Sequence, residues 1–531
     1  AQDRHGQNSL SIKNNCGKNQ AKMIKTALIS VSDKRGIVEF ARELGRLEVK
    51  IISTGNTARL LEKNMIKVTH VSEITQFPEM LDGRVKSLHP NIFAGILADR
   101  KNKKHLNELK KLKIDLIDLV VVNFYPFEET IRKTNKIKEV IENIDIGGPS
   151  LARAAAKNHK NVLIATDPND YNGILEKIKA KKIDEGYRQT LAAKAFSYTA
   201  SYDSLISRHF NGLDKNEYPE ILNLAFKKLQ NLRYGENPHQ SAAFYRDFFV
   251  EKGCVAAAKQ LQGKELSYNN ILDVDAAFEL VKGFEKPSAA VIKHTNPSGV
   301  ASAEKIEDAY IKAHEADPKS AFGCIVALNR NCNLEIAKYM KPLFIEAVIC
   351  PKFEKDALGI LREKKNLRLL ETDAVKKLKA RYDLRKVTGG LLAQIEPYTE
   401  LNEKSLKAVT KRKPAKEELK SLIFAWKVNK HVKSNSVVFV KDEVTVGIGA
   451  GQMSRVDAVN LAIMKNKDKI KGSVMSSDAF FPFRDGVDQA AKAGVTAIIQ
   501  PGGSIRDNEV IQAANEHNIA MVFTGIRLFK H

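Results

Sequence analysis

The chain has 531 residues, 43% of them hydrophobic and 28% charged, enough for two to four globular domains with cores of their own. No run of 18 apolar residues exists, so no membrane-spanning helix is expected. Five cysteines (Cys16, Cys254, Cys324, Cys332, Cys350) without a CxxC spacing argue against a disulfide framework or structural zinc and fit a reducing, cytoplasmic setting. The net charge of +23 points to anionic partners. The cations are mostly lysines spread over helices, as in Lys101–Lys113 and Lys177–Lys182, with no arginine-and-aromatic stripe of a nucleic-acid module.

Residues 1–22 are polar, without a signal-type apolar core, and read as a disordered leader. Thr26–Val31 reads as a buried strand. Ser32, Asp33 and Gly36 then lead into a helix with Ile37, Phe40, Ala41 and Leu44 on one face. Val49–Ser53 is a second strand, and Thr54-Gly55-Asn56-Thr57 opens a helix through Leu61. Strand, small polar turn, helix is the grammar of a parallel α/β sheet. Both turns offer hydroxyls and backbone N–H groups at helix N-termini, which suits phosphate, although ordinary N-capping favours the same residue types.

In Asp82–Pro90, Arg84 and Lys86 are two apart. On an extended segment they point the same way and, with Ser87, suggest a clamp for phosphate or carboxylate. Leu116–Asn123 is an apolar strand that places Tyr125 at its end. Ile144–Ser150 is the glycine-rich start of a helix, with Asp145 before the two glycines and Lys157 two turns along. Asn161–Thr166 is a further strand, and helices from Tyr171 to about Leu213 close the unit.

Tyr218–Leu232 reads as a linker. It leads to Arg233 and Tyr234, a planar cation beside an aromatic that can grip phosphate and stack on a flat ring. Leu266–Asp273 begins a helix. Ala289–Ile292 is a buried strand that Asn296, Pro297 and Gly299 should break, leaving Lys293 and His294 where strand opens into loop. A neighbouring ammonium disfavours imidazolium, so His294 can accept a proton while Lys293 steadies an oxyanion or protonates a leaving nitrogen. On the dipeptide alone, a surface lysine and an incidental loop histidine fit as well.

Ala321–Leu328 and Ala347–Ile349 read as strands, while Lys352–Lys386 is charged and carries little chemical signal. Lys420–Lys430 is a helix whose Trp426 belongs to the core. Ser434-Asn435-Ser436 leads into the strand Val437–Val440. Val444–Gly451 approaches a dinucleotide fingerprint, but Gln452 holds the third glycine position, so close backbone approach to a ligand is the better reading. Asp478–Asp485 sets aromatics beside charge, and Gln500–Ser504 turns after the strand Ala497–Ile499.

Taken in order, SVSDK, STGNTA, GRVKSLHP, NFYPF, IDIGGPSLARAAAKN, LRYGENPHQ, LSYNN, KHTNPSG, KSNSVV, GIGAGQMSR, DAFFPFRD and RLFKH resemble the bifunctional AICAR transformylase/IMP cyclohydrolase family of purine biosynthesis, from about Thr26 to His531. The resemblance implies a methylglyoxal-synthase-like parallel-sheet domain at residues 23–220, performing ring closure. A transformylase region of cytidine-deaminase-like α/β/α subdomains would follow at residues 221–531. It implies formyl transfer from 10-formyltetrahydrofolate to AICAR, then cyclisation and dehydration of FAICAR to IMP. It also implies a cytoplasmic homodimer with no nucleic-acid or membrane partner and no zinc, since the HxE…PCxxC signature is absent; a monovalent cation stays open.

By the same resemblance, Lys293, His294 and Asn435 serve formyl transfer, with Arg233, Tyr234, Gly323, Glu346, Arg455 and Arg527 on AICAR and Phe480, Asp485 and Ser504 around nucleotide and folate. For ring closure it implies Lys86, Tyr125, Asp145 and Lys157 as catalytic groups. Lys157 and Asp145 would exchange protons, Tyr125 would steady the oxyanion, and Ser32, Lys34, Thr54, Gly55, Thr57, Arg84, Ser87 and Asn123 would hold the nucleotide. Phe93 stands where many relatives carry histidine. Two other readings remain: an enzyme with one activity and one half kept as scaffold, and a basic nucleic-acid-binding protein.

Overall fold

Short apolar runs between small polar turns become parallel strands here because each is long enough to cross one sheet and is followed by a helix that can return the chain. The computed structural model describes residues 24–375, 382–395 and 401–531, so the expected leader lies outside the described residues. The chain divides into two units, Ala1–Phe226 and Lys227–His531. Among the described residues no helix is long and apolar enough to cross a membrane.

The first unit holds β1 (Thr26–Ser30), β2 (Lys50–Ser53), β3 (Thr69–His70), β4 (Leu119–Val122) and β5 (Leu163–Ala165) in the order β3-β2-β1-β4-β5, all parallel. The order reverses beside β1, so the loops after β1 and β4 diverge and leave a crevice at the carboxyl edge. The helix Ile37–Arg46 buries Ile37, Phe40, Ala41 and Leu44, the face expected from their spacing. Phe40 stacks on Tyr171 with ring centroids 4.6 Å apart, a contact worth about 0.5–1.5 kcal/mol beyond its area. The helix Gly147–Lys157 packs on β4, β5 and the long helix Glu185–Leu213.

That helix corrects one expectation. Lys157 is its last residue, three turns from Gly147, and at 1.5 Å per residue the two lie about 15 Å apart along the axis. The helix begins at the carboxyl edge and ends where β5 begins, so exposed Lys157 is not brought to Asp145 within one chain.

The second unit opens with the pair β6 (Phe226–Leu232) and β7 (Ala242–Asp247), and β14 (Tyr382–Val387) pairs with β15 (Gly390–Ile395). Its main sheet has twelve strands. One half contains β8 (Lys259–Gln262), β9 (Ser288–Lys293), β10 (Asn296–Ser302), β11 (Cys324–Leu328), β12 (Ile345–Cys350) and β13 (Arg368–Glu371). The other contains β16 (Lys407–Ala408), β17 (Val437–Lys441), β18 (Val444–Gly449), β19 (Val474–Ser477), β20 (Ala497–Gln500) and β21 (Ala520–Phe523). The order is β16-β21-β20-β19-β17-β18-β10-β9-β11-β12-β13-β8.

Each half carries an antiparallel hairpin, three parallel strands joined by helices and one antiparallel strand at its outer end, β8 or β16, and the hairpins meet at β10 and β18. Alternation along β9 feeds both faces: Ala290 and Ile292 join one core, Ala289 and Val291 the other. Trp426 is buried in the first of these, as expected. Because the halves run oppositely, one edge of the sheet collects the end of β9, the starts of β10 to β13, the end of β18, the start of β17 and the ends of β19 to β21.

Candidate active sites

In the first unit the loops after β1, β2 and β4 meet at the carboxyl edge. Buried Asn123 fastens the loops after β1 and β4: its Oδ1 accepts from the Ser32 and Asp33 amides at 2.6 and 2.8 Å, and its Nδ2 donates to Asp33 O at 3.2 Å. Lys34 Nζ donates to Thr57 Oγ1 at 2.7 Å and to Val31 O. Burial, then the charge on Lys86, pushes the Lys34 ammonium down to about 8. Lys86 Nζ lies 3.4 Å from where a β-carbon on Gly55 would sit, and the buried Ser87 Oγ lies 3.2 Å from the same point on Gly147.

Asp145 enters this group from the turn before the helix. Its carboxylate accepts from the Gly148 amide at 2.8 Å and the Tyr125 amide at 3.3 Å, and its own amide donates to the Tyr202 hydroxyl at 2.9 Å. Burial pushes the Asp145 carboxyl up, against the pull of those amides and of Lys86. A β-carbon at Gly148 would fall 2.7 Å from Asp145 Oδ2 and 2.9 Å from the Phe124 ring, so only glycine lets the turn close over the carboxylate.

Two expected phosphate ligands are held by carboxylates that sequence reasoning missed. Thr54 Oγ1 donates to Glu79 at 2.6 Å, and Arg84 pairs with Glu142, its Nε 3.2 Å from Oε1. Tyr125 is exposed at the rim.

In the second unit β9 does not dissolve into a loop. His294 and Thr295 adopt left-handed φ of 53° and 61° and form a two-residue turn, and Asn296 pairs back with Lys293 to start β10. Pro297 is accommodated at a bulge, where its missing N–H is not needed. The turn is braced by Asp273, whose carboxylate accepts from the Thr295 amide at 2.6 Å. Burial pushes that carboxyl up, against the Thr295 amide and the charge on His294. Lys293 Nζ donates to Phe322 O at 2.9 Å.

Lys293 and His294 line a cavity of about 650 Å³ together with Arg233, Tyr234, Gly323 and Glu346, so the structure gathers six expected residues from separate strand ends. Arg233 lies over the Tyr234 ring at 4.8 Å, and its Nη2 reaches the hydroxyl at 3.1 Å. Gly323 has φ +72°, a conformation side chains resist, and its amide donates to Phe344 O at 2.9 Å. Glu346 accepts from Arg368 at 3.1 Å and from Asn270 at 3.2 Å.

Sequence reasoning missed Asp273, Asn270, Lys264, Phe344 and the wall Lys364–Arg368. The last lies in the charged stretch read as chemically silent.

Asn435, Arg455, Phe480, Asp485, Ser504 and Arg527 lie on the other half and are not brought into this cavity. Arg455 is buried, bonded to Asn435, Ser436 and Asp478. Phe480 is half-buried, and exposed Asp485 opens the helix Asp485–Lys492. Ser504 Oγ accepts from the Arg506 amide, and Arg527 stacks on Phe529 at 4.7 Å. Among the described residues no three His, Cys, Asp or Glu side chains come together as a metal site.

Residues 155–465 match the family described as AICARFT/IMPCHase bienzyme, and residues 36–150 match the MGS-like domain. The chain is 53% identical over 514 residues to the bifunctional purine biosynthesis protein PurH of Acetivibrio thermocellus, covering 96% of this chain and 100% of that relative. It is 53% identical to PurH of a Thermoanaerobacter species and 52% identical to that of Bacillus cytotoxicus, each over 511 residues with the same coverage.

Proposed function

The chain belongs to the AICARFT/IMPCHase bienzyme family, and from that premise we propose a division of labour between its units. It is a bifunctional enzyme of purine biosynthesis that formylates AICAR from a folate-type co-substrate and cyclises FAICAR to IMP. The second unit performs transfer, with 10-formyltetrahydrofolate as donor, and the first unit performs ring closure. The working form is a cytoplasmic homodimer.

The amine of AICAR is a weak nucleophile, because its lone pair is delocalised into the ring and carboxamide. As its nitrogen bonds the formyl carbon it must lose a proton, and His294 is the group positioned to accept it. The tetrahedral oxyanion needs fixed positive charge, which Lys293 supplies from the neighbouring position, and the folate nitrogen leaves with a proton. Arg233 and Tyr234 supply a cation and a ring face for the nucleotide.

Ring closure joins the carboxamide nitrogen to the formyl carbon of the same molecule, so positioning carries much of the rate. Asp145, raised by burial and felt by Lys86, is suited to move the proton that ends on the departing water. Tyr125 steadies the oxygen, and Ser32, Lys34, Thr54, Gly55, Thr57, Arg84, Ser87 and Asn123 hold the nucleotide. No step is routed through Lys157.

The observation that carries the reading is the single cavity shared by Lys293, His294, Arg233, Tyr234, Gly323 and Glu346. The experiment is direct: incubate the protein with AICAR and 10-formyltetrahydrofolate and follow IMP. Absence of formylated product from well-folded protein would refute it.

A further inference from the structure

Asn435 has both ends of its carboxamide engaged. Nδ2 donates to Gln452 O at 3.0 Å and Met453 O at 3.1 Å, and Oδ1 accepts from Arg455 Nη2 at 2.9 Å. Two carbonyls on one side and a guanidinium on the other allow one orientation of the amide. Both amide hydrogens are used, so the remaining capacity is the second lone pair of Oδ1. A reacting group can therefore meet Asn435 only at this acceptor, which suits orienting an N–H and leaves no hydrogen to donate to the formyl oxygen.

What fixes that oxygen lies beneath it. Arg455 is 7% exposed; its Nη1 donates to Ser436 O at 3.0 Å and to Asp478 Oδ1. Asp478 is 0% exposed, and its Oδ2 accepts from the Ser436 amide at 3.2 Å. A guanidinium this buried needs a countercharge, since burial alone lowers its hold on the proton. The loop is also fastened to the catalytic turn: Asn296 Oδ1 accepts from the Lys433 amide at 3.0 Å, while Asn296 Nδ2 donates to His294 O at 3.2 Å.

We infer that Asp478 is a positioning residue for formyl transfer: it orients Arg455, and Arg455 presents the Asn435 carbonyl oxygen as a hydrogen-bond acceptor for an N–H at the reacting centre. This rests on the reading of Asn435 as part of the transfer site. Removing the carboxylate frees the guanidinium to find other acceptors, and the oxygen loses its fixed direction.

The test is a double-mutant cycle on the full chain, assayed for formyl transfer with AICAR and 10-formyltetrahydrofolate, with fluorescence of the single, buried Trp426 reporting the fold of the second unit. Asp478→Asn should lower kcat about tenfold or more, with KM for AICAR changed less than about threefold. In the Asn435→Ala background it should cost nothing further, because both act through one group. Multiplied losses, or wild-type kcat in Asp478→Asn, would overturn the inference.

Should Asp478→Asn unfold, Arg455→Lys serves in the same cycle, since one ammonium cannot span Asp478 and Asn435 in the same geometry. Non-additive kcat loss supports the chain of contacts, and a change in KM alone overturns it. If Asn435→Ala is itself fully active, the reading of the site fails first and the inference with it, an outcome distinct from multiplied losses.

Discussion

In the first unit all five strands run the same way, so Ser32, Lys34, Thr54, Gly55 and Asn123 share an edge simply because each follows a strand. In the second unit strands arrive from both directions: Lys293 ends β9, Glu346 lies at the start of β12 and Arg368 begins β13, yet they line one cavity. The carboxyl-edge rule serves the parallel sheet and fails in the mixed one, where antiparallel pairing decides which residues meet.

The sharpest way to break this comparison is to remove one site and watch the other. His294→Ala should lower formyl transfer by about 10³-fold or more while ring closure of supplied FAICAR stays near wild type. Asp145→Asn should do the reverse, lowering ring closure about 100-fold, with formyl transfer measured in the same preparation unchanged. If either substitution damages both steps in folded protein, the two edges are not independent.

Smaller effects sharpen the account of each edge. Asp273→Ala should lower kcat for formyl transfer about tenfold, because the left-handed turn loses its brace. Asp273→Asn, which can still accept from the Thr295 amide, should retain most of the rate. Equal losses in both variants would assign the effect to charge and not to the turn.

In the first unit the Lys34 ammonium is disfavoured by burial and by Lys86, whereas a bound phosphate favours it. Affinity for FAICAR should therefore fall as pH rises through about 8, read as a KM increase of a few-fold, and Lys86→Met should move that limb to higher pH.

What was legible in the sequence follows the same division. Strand-turn-helix punctuation exposed the edge of the parallel sheet, and the helix Ile37–Arg46 buries the face its spacing announced. Lys157 was expected two turns into its helix and stands three turns from Gly147 because a motif keeps residues adjacent on the page, while a helix carries its two ends about 15 Å apart. The Lys293–His294 turn was found as chemistry but misread as loop, since His-Thr lacks the glycine or asparagine that usually marks such a turn. Asp273 and Arg368 gave no signal because only the packing of the helix Tyr268–Val281 on β9 and β11, and the pairing of β13 with β12, bring them to the cavity.

The most direct measurement uses two crippled preparations of the full chain, His294→Ala and Asp145→Asn, supplied with AICAR and 10-formyltetrahydrofolate. Alone, the first should make neither product, and the second should accumulate FAICAR. Mixed, they should form IMP after a lag, as one preparation releases the intermediate that the other closes. Failure of the mixture with both proteins folded, or IMP from either alone at the wild-type rate, would contradict the assignment of one reaction to each sheet edge.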